Sequence, residues 1–297
     1  MPKEITHWII AEKTYLALER SPLKDLINKN KALYYFGVIS FDTGFYAGGG
    51  CKKELILTAE NLHYSLEQGS FAALARISEW IKKSGDKRGW AFLCGCLSHV
   101  MADSAFHPLV YYLTGDPHDP DPELKKTANV EHRKLESRLD LFTRNLVSLD
   151  YKASVNELLD NLNNALLIDL MMSLYRDGSF EKSDINKAII NHGTYYWLFG
   201  SHILYLFFKG INFIINGALD LELSLFYPSP NPADIEYFKT PKYYTNPFTG
   251  EQRTETVIQT IERVTEQTAD ILNMLGRSMN IDAAINYFTS NPGPILA

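Results

Sequence analysis

Along most of the chain the apolar positions recur with a helical period, and runs of alternating strand pattern are scarce. Residues three and four apart share one face of a helix. On that basis helices are expected near 6–19, 31–40, 70–84, 87–113, 128–145, 152–176, 183–191, 195–220 and 254–276. In the first, Ile9, Ile10, Leu16 and Ala17 form an apolar stripe behind Thr6, the candidate N-cap. The last repeats Val257, Ile261, Val264 and Ile271 through a polar background, which predicts an outer helix with one buried face. The most apolar stretch, 203–215, contains Lys209, Gly210 and Asn212 and is too short to span a bilayer. A buried helix is expected there.

Three stretches interrupt this pattern. Residues 44–53 are rich in glycine and follow Asp42; 115–122 form a rigid acidic loop; 227–250 carry Pro228, Pro230, Pro232, Pro241 and Pro247. The last reads as a long surface excursion, because the amphipathic helix after it needs the main body to cover its apolar face. No internal repeat divides the chain. The expectation is an all-α protein, a single compact multi-helix domain over residues 1–297.

Composition narrows the functional classes. Apolar residues make up 45% and charged residues 22%, which suits a globular chain and not a disordered one. A net charge of −6 gives no sign of a nucleic-acid-binding surface. Cys51, Cys94 and Cys96 form no disulfide framework, which suits a reducing compartment, and the latter two read as packed thiols. The first residues, Met1 to His7, lack the apolar stretch and cleavage site of a secretory signal, so a cytoplasmic location is expected.

The chemistry lies in an ordered series of histidines and carboxylates: His7, Asp42, His63, His99-x3-Asp103-x3-His107 and His132-x3-Glu136. Residues four apart on a helix sit one turn above each other, so each short pair can close on one metal ion. At 100° per residue, His99, Asp103 and His107 lie within an arc of roughly 80° over two turns. Zinc accepts such nitrogen and carboxylate donors at about 2.0–2.2 Å. Plainer readings exist for each. His132 and Glu136 also fit a solvated helix-face pair, His7 and His63 fit hydrogen-bonded core groups, and Asp42 fits a turn or N-cap. Together the residues point to a multinuclear zinc site built from several helices.

The order of these residues resembles the zinc-dependent phospholipase C family, which is related to the zinc-dependent single-strand-specific nucleases. The resemblance rests on Thr6-His7-Trp8-Ile9-Ile10-Ala11-Glu12, on Phe36 to Asp42, on Leu97-Ser98-His99 through His107-Pro108, and on His132 to Glu136, within residues 6–140. It implies that His63, His99 and Asp103 hold one zinc and that His107, His132 and Glu136 hold a second. A third ion would take His7 and Asp42, with Asp42 bridging toward the first. The family's secreted members complete that third site with an N-terminal tryptophan, which this chain lacks, and their interval between the residues matching His99 and His107 is longer.

Phosphodiester hydrolysis is therefore expected, with Asp42 orienting or deprotonating a water and a phospholipid-like head group as substrate. A zinc-dependent nuclease or nucleotide phosphoesterase would use the same metals, with nucleic acid only as substrate. A non-catalytic scaffold, peripheral at a membrane and stabilised by its zinc ions, is the reading from a different class. The aromatic segment of Tyr195, Tyr196, Trp197, Phe199, Tyr205, Phe207 and Phe208 fits either core or an apolar pocket, with His192 and His202 at its flanks.

Overall fold

The computed structural model describes residues 3–48, 53–64, 66–149, 154–176, 180–247 and 249–290. The protein is all-α, with two short strands among the described residues. Its axis is α6 (Gly89–Thr114), buried on every side from Gly89 to Phe106, as expected for a helix that is apolar all round. Pro108 does not end it, and the helix runs on to Thr114. The helices α1 (Glu4–Ala17), α3 (Lys31–Ile39), α5 (Ala72–Ser84), α7 (Pro122–Thr143) and α14 (Val257–Ser278) pack around it. Further out, α12 (Asp220–Leu223) rests on α7, and α15 (Ile281–Ser290) rests on α14.

The tightest crossing is between α3 and α6. A Cβ on Gly95 would lie 2.1 Å from the Tyr34 carbonyl oxygen, and one on Gly37 would lie 2.3 Å from that of Phe92. Only glycine lets the two backbones touch in this way. At its start α1 is capped from a distance: the Asp140 carboxylate on α7 accepts from the amides of Ile5 (3.0 Å) and Thr6 (2.8 Å). Thr6 is therefore not the N-cap. It lies inside the helix, and its hydroxyl meets that of Thr143 at 2.8 Å.

Several boundaries differ from expectation for local reasons. The helix α2 (Pro22–Lys29), capped by Ser21, and α4 (Lys53–Tyr64) fall where no helix is predicted. Asp121 caps α7 with Pro122 in its first turn, so α7 begins six residues before 128. The segment 152–176 divides into α8 (Val155–Asp160) and α9 (Asn164–Leu174), because Asn163 caps the second with its own side chain. The predicted gap between 191 and 195 is absent. Instead α10 (Lys182–Phe199) runs through Gly193, and α11 (His202–Ile214) follows after Gly200, with Ser201 as its cap.

Two stretches add to or depart from the expected pattern. Residues 227–250, expected as a long surface excursion, have regular structure of their own: they hold α13 (Pro232–Lys239) and β1 (Lys242–Thr245), which pairs antiparallel with β2 (Gln252–Glu255). Phe238 and Tyr244 anchor this unit in the interior, and Arg138 holds Asp234 at 2.6 Å. The 203–215 helix, expected to be buried, is not. Periodicity identifies a helix, yet among the described residues no neighbour covers its outer face, and Ile203, Phe207, Phe213 and Ile214 stand exposed. By contrast α14 follows its pattern: Thr256 and Gln259 form a capping box, and Val257, Ile261, Val264 and Ile271 face inward. Cys94 and Cys96 are free, buried thiols, and burial raises both, Cys96 to about 12. Cys51 lies outside the described residues.

Candidate metal centre

His99 is the hinge of the site. Its Nδ1 lies 2.8 Å from the carbonyl oxygen of Val38, a contact available because the glycine crossing brings α3 against α6. A carbonyl only accepts, so Nδ1 carries the proton and Nε2 is left as a lone pair. His63, in the last turn of α4, is set in the same way by the Ala59 carbonyl at 2.7 Å. The two Nε2 atoms then face each other at 3.2 Å.

Acceptors crowd around this pair. Asp103, one turn on from His99, places Oδ2 3.2 Å from His99 Nε2 and 3.7 Å from His63 Nε2. Asp42 brings Oδ1 to 3.3 Å from His63 Nε2, and His7 Nε2 lies 3.2 Å from Asp103 Oδ1. The His7 ring stacks on that of His99 with centroids 4.4 Å apart. Ligand atoms of His7, His99 and Asp103 lie within 4.8 Å of one another, and so do those of Asp42, His63 and His99.

A proton shared between two imidazoles satisfies one such contact. It leaves both ring nitrogens of His7, Asp42 Oδ1, Asp103 Oδ1 and His107 Nε2 buried with no hydrogen-bond partner. So many convergent lone pairs in a buried site are unfavourable unless a cation sits among them. The donor set, imidazole nitrogens with carboxylate oxygens, suits zinc.

The second half of the site lies further along α6 and on α7. His132 Nε2 meets Glu136 Oε1 at 2.8 Å, and the His107 and His132 rings approach edge-on at 6.3 Å. His107 also reaches back to Asp103 at 3.8 Å, which ties the halves together. Burial opposes ionisation of Asp103, yet His99 and His107 overcome it and hold the carboxyl well below its usual range. Burial lowers His107 to about 3, against the pull of Asp103, and lowers His132 well below the ordinary imidazole value. Both rings thus favour the neutral form that a metal ligand needs.

All eight residues singled out in the sequence gather in this region: His63, His99 and Asp103 lie together, as do His107, His132 and Glu136, and only His7 and Asp42 are not paired with each other. His7 sits against Asp103 and His99, whereas Asp42 sits against His63. Asp42 begins a 3-10 turn (Asp42–Tyr46) that packs on α4, where a Cβ on Gly44 would be 2.7 Å from the Ala59 Cβ. Sequence reasoning missed what holds that turn. The Tyr175 hydroxyl reaches the carbonyls of Ser40 (2.9 Å) and Phe41 (2.7 Å) and accepts from the Gly44 amide at 2.9 Å. No sequence signal marks Tyr175.

A second anchor is His192, buried on α10. Its ring nitrogens face the Thr43 hydroxyl (3.1 Å) and Glu4 Oε1 (3.2 Å), and its ring stacks on Tyr46. Burial opposes ionisation of Glu4, but hydrogen bonding to His192, the charge on that ring and the Tyr46 hydroxyl lower it to about 2. Tyr111 was also missed, although it continues the four-residue series after His107. It packs against His107 (5.3 Å) and His132 (5.5 Å), and burial, with the charges of Asp103 and Asp116, raises it to about 12. His202 is exposed on α11 beside Tyr205, away from these contacts.

No curated protein and no solved structure matches the chain. One family model does, that of the zinc dependent phospholipase C, over residues 6–180. That span contains every one of the eight converging side chains and more than half of the sequence. On this match, with a buried cradle whose donors suit zinc, the chain belongs to the zinc-dependent phospholipase C family.

Proposed function

We propose that the chain hydrolyses phosphodiesters of the phospholipid type, with zinc held by the histidines and carboxylates of this centre. The observation that carries the reading is the pair of Nε2 lone pairs 3.2 Å apart, each fixed by a backbone carbonyl behind it. His63, His99 and Asp103, flanked by His7 and Asp42, would hold one ion, and His107, His132 and Glu136 another. Zinc bound there supplies Lewis acidity to a phosphoryl oxygen and brings the pKa of a water near neutrality.

The chain's own residues supply the rest. Asp42 Oδ1 has no hydrogen-bond partner and lies at the edge of the cluster, so it is placed to accept the proton of the attacking water. Tyr175 and His192 fix the turn that carries it. Phe41, stacked on His99 at 5.1 Å, and Phe45, against His63 at 5.3 Å, form apolar walls that exclude bulk solvent. The family's substrate class supports a phospholipid-like diester over nucleic acid, and the net charge of −6 favours the same choice.

The test is metal analysis of protein purified without chelator, alongside His99→Ala and Glu136→Ala. Each substitution should remove a different part of the bound zinc. Cleavage of phosphatidylcholine should exceed that of single-stranded DNA. Absence of zinc from all three proteins, together with no cleavage of either substrate or of bis-nitrophenyl phosphate, defeats the reading.

A further inference from the structure

The exposed helix α11 has no counterpart elsewhere on the described surface. Phe213 is 86% exposed, Ile203 80%, Ile214 78% and Phe207 60%, and Trp197 at the end of α10 is 66% exposed. Taken around the helix, Ile203, Leu206, Phe207, Phe213 and Ile214 fall within an arc of about 120°. Gly210 lies in the same arc, and a Cβ there would meet nothing within 4 Å. A soluble monomer seldom exposes a contiguous apolar face of this kind without a use for it.

The outer helix α14 shows what a water-facing surface looks like in this protein, since its exposed positions include Glu262, Glu266 and Asp270. In α11 there is no acidic residue at all. Its one formal charge, Lys209, lies at the flank of the apolar arc, where a long stem can carry an ammonium outward to phosphate.

We propose that α11, with the Trp197 corner of α10, seats the protein on the surface of a phospholipid bilayer. Three observations select that occupant. The apolar face is edged by a cation and carries no carboxylate, which matches a phosphate headgroup layer over hydrocarbon. No single described helix is long and apolar enough to cross a membrane, and α10 and α11 meet at 76°, so α11 lies along the interface while α10 turns into the protein. Trp197 stands at that corner, and an amphipathic ring there suits the headgroup level.

The same pair of helices also reaches the centre. On α10, Asn191 donates to the carbonyls of Tyr46 (3.2 Å) and Gly48 (3.1 Å), and His192 holds Thr43, so the helix that leads to the apolar face grips the turn carrying Asp42. The proposal rests on the lipid substrate class of the proposed function, but its readout requires no turnover.

The test is sedimentation of the full, zinc-loaded chain with phosphatidylcholine vesicles, with and without phosphatidylserine. Wild type should pellet with the vesicles, and Trp197 emission should shift to the blue, a change absent from Trp197→Phe. Ile203→Ser with Phe213→Ser should weaken binding at least tenfold at unchanged melting temperature, in line with losing two inserted apolar side chains. The single change Phe213→Ser gives the same direction if the double variant folds poorly. The proposal is overturned if wild type stays in the supernatant or if the variants pellet equally. It is also overturned if these changes only dissociate a dimer, since a second copy is then the occupant. Protein that pellets but cleaves nothing would leave this inference standing and remove the proposed activity instead.

Discussion

Replacing Tyr175 by phenylalanine removes one oxygen atom and asks whether the Asp42 turn is held from behind. That oxygen accepts from the Gly44 amide at 2.9 Å and donates to a carbonyl of the preceding turn, Phe41 being nearest at 2.7 Å. Gly44 is buried so tightly that even a Cβ would strike Ala59 and the Leu55 carbonyl, so no water can replace the lost acceptor. An orphaned buried amide costs about 1–3 kcal/mol, and the lost carbonyl contact about 1 kcal/mol more. The expected destabilisation is about 2–4 kcal/mol, or roughly 5 °C in Tm at this chain length. Because Asp42 rides on the turn, kcat on bis-nitrophenyl phosphate should fall by on the order of tenfold or more while bound zinc stays constant. Thermal melts monitored by circular dichroism, steady-state kinetics and metal analysis on one preparation check all three quantities. A variant that melts and turns over like the parent refutes the reasoning. One that melts lower with unchanged kcat confines Tyr175 to the fold.

Gly95→Ala should force α3 from α6, because the new Cβ starts 2.1 Å from the Tyr34 carbonyl oxygen; a stability loss of about 1–3 kcal/mol is expected in urea unfolding. The same shift draws the Val38 carbonyl from His99 Nδ1, so zinc affinity measured by chelator competition should fall by about 10–100-fold. Glu4 titrates at about 2 in the folded protein against 4.5 for an unperturbed carboxyl. Its ionised form is therefore favoured by folding, and the stabilisation, about 3 kcal/mol, is present above pH 4.5 and lost as pH falls toward 2. Glu4→Gln should consequently be less stable than wild type at pH 6, with the gap closing in urea titrations carried down through that window. A gap that does not change with pH would mean that the carboxyl is not held ionised by His192 and Tyr46.

The legible part of this protein is the part governed by period. The pairing of His99 with Asp103 and of His132 with Glu136 follows from one helical turn, and the inward face of α14 follows from the same arithmetic. What period cannot specify is which face a neighbour covers, and α11 shows the gap: apolar composition suggested burial where the fold provides exposure. Helix ends were lost where one side chain competes with the backbone, as Asn163 and Ser201 do, or where Ser21 and Pro22 start a short helix with few apolar positions. Nor could spacing assign His7 to Asp103 or Asp42 to His63. Those pairs are decided by how α1 crosses α6 and how the Asp42 turn meets α4, through contacts between residues far apart in the chain.

His99 carries one consequence for how many ions its neighbourhood accepts. Its Nδ1 is committed to Val38, so the ring has a single electron pair to offer, and that pair is common to the trio with His7 and Asp103 and the trio with Asp42 and His63. One electron pair coordinates one ion at a time. The two trios would therefore share a single ion, the one proposed for His63, His99 and Asp103, and would not seat two. A further ion in this part of the centre would have to be held without His99, so His99→Ala should cost the protein one ion and not two.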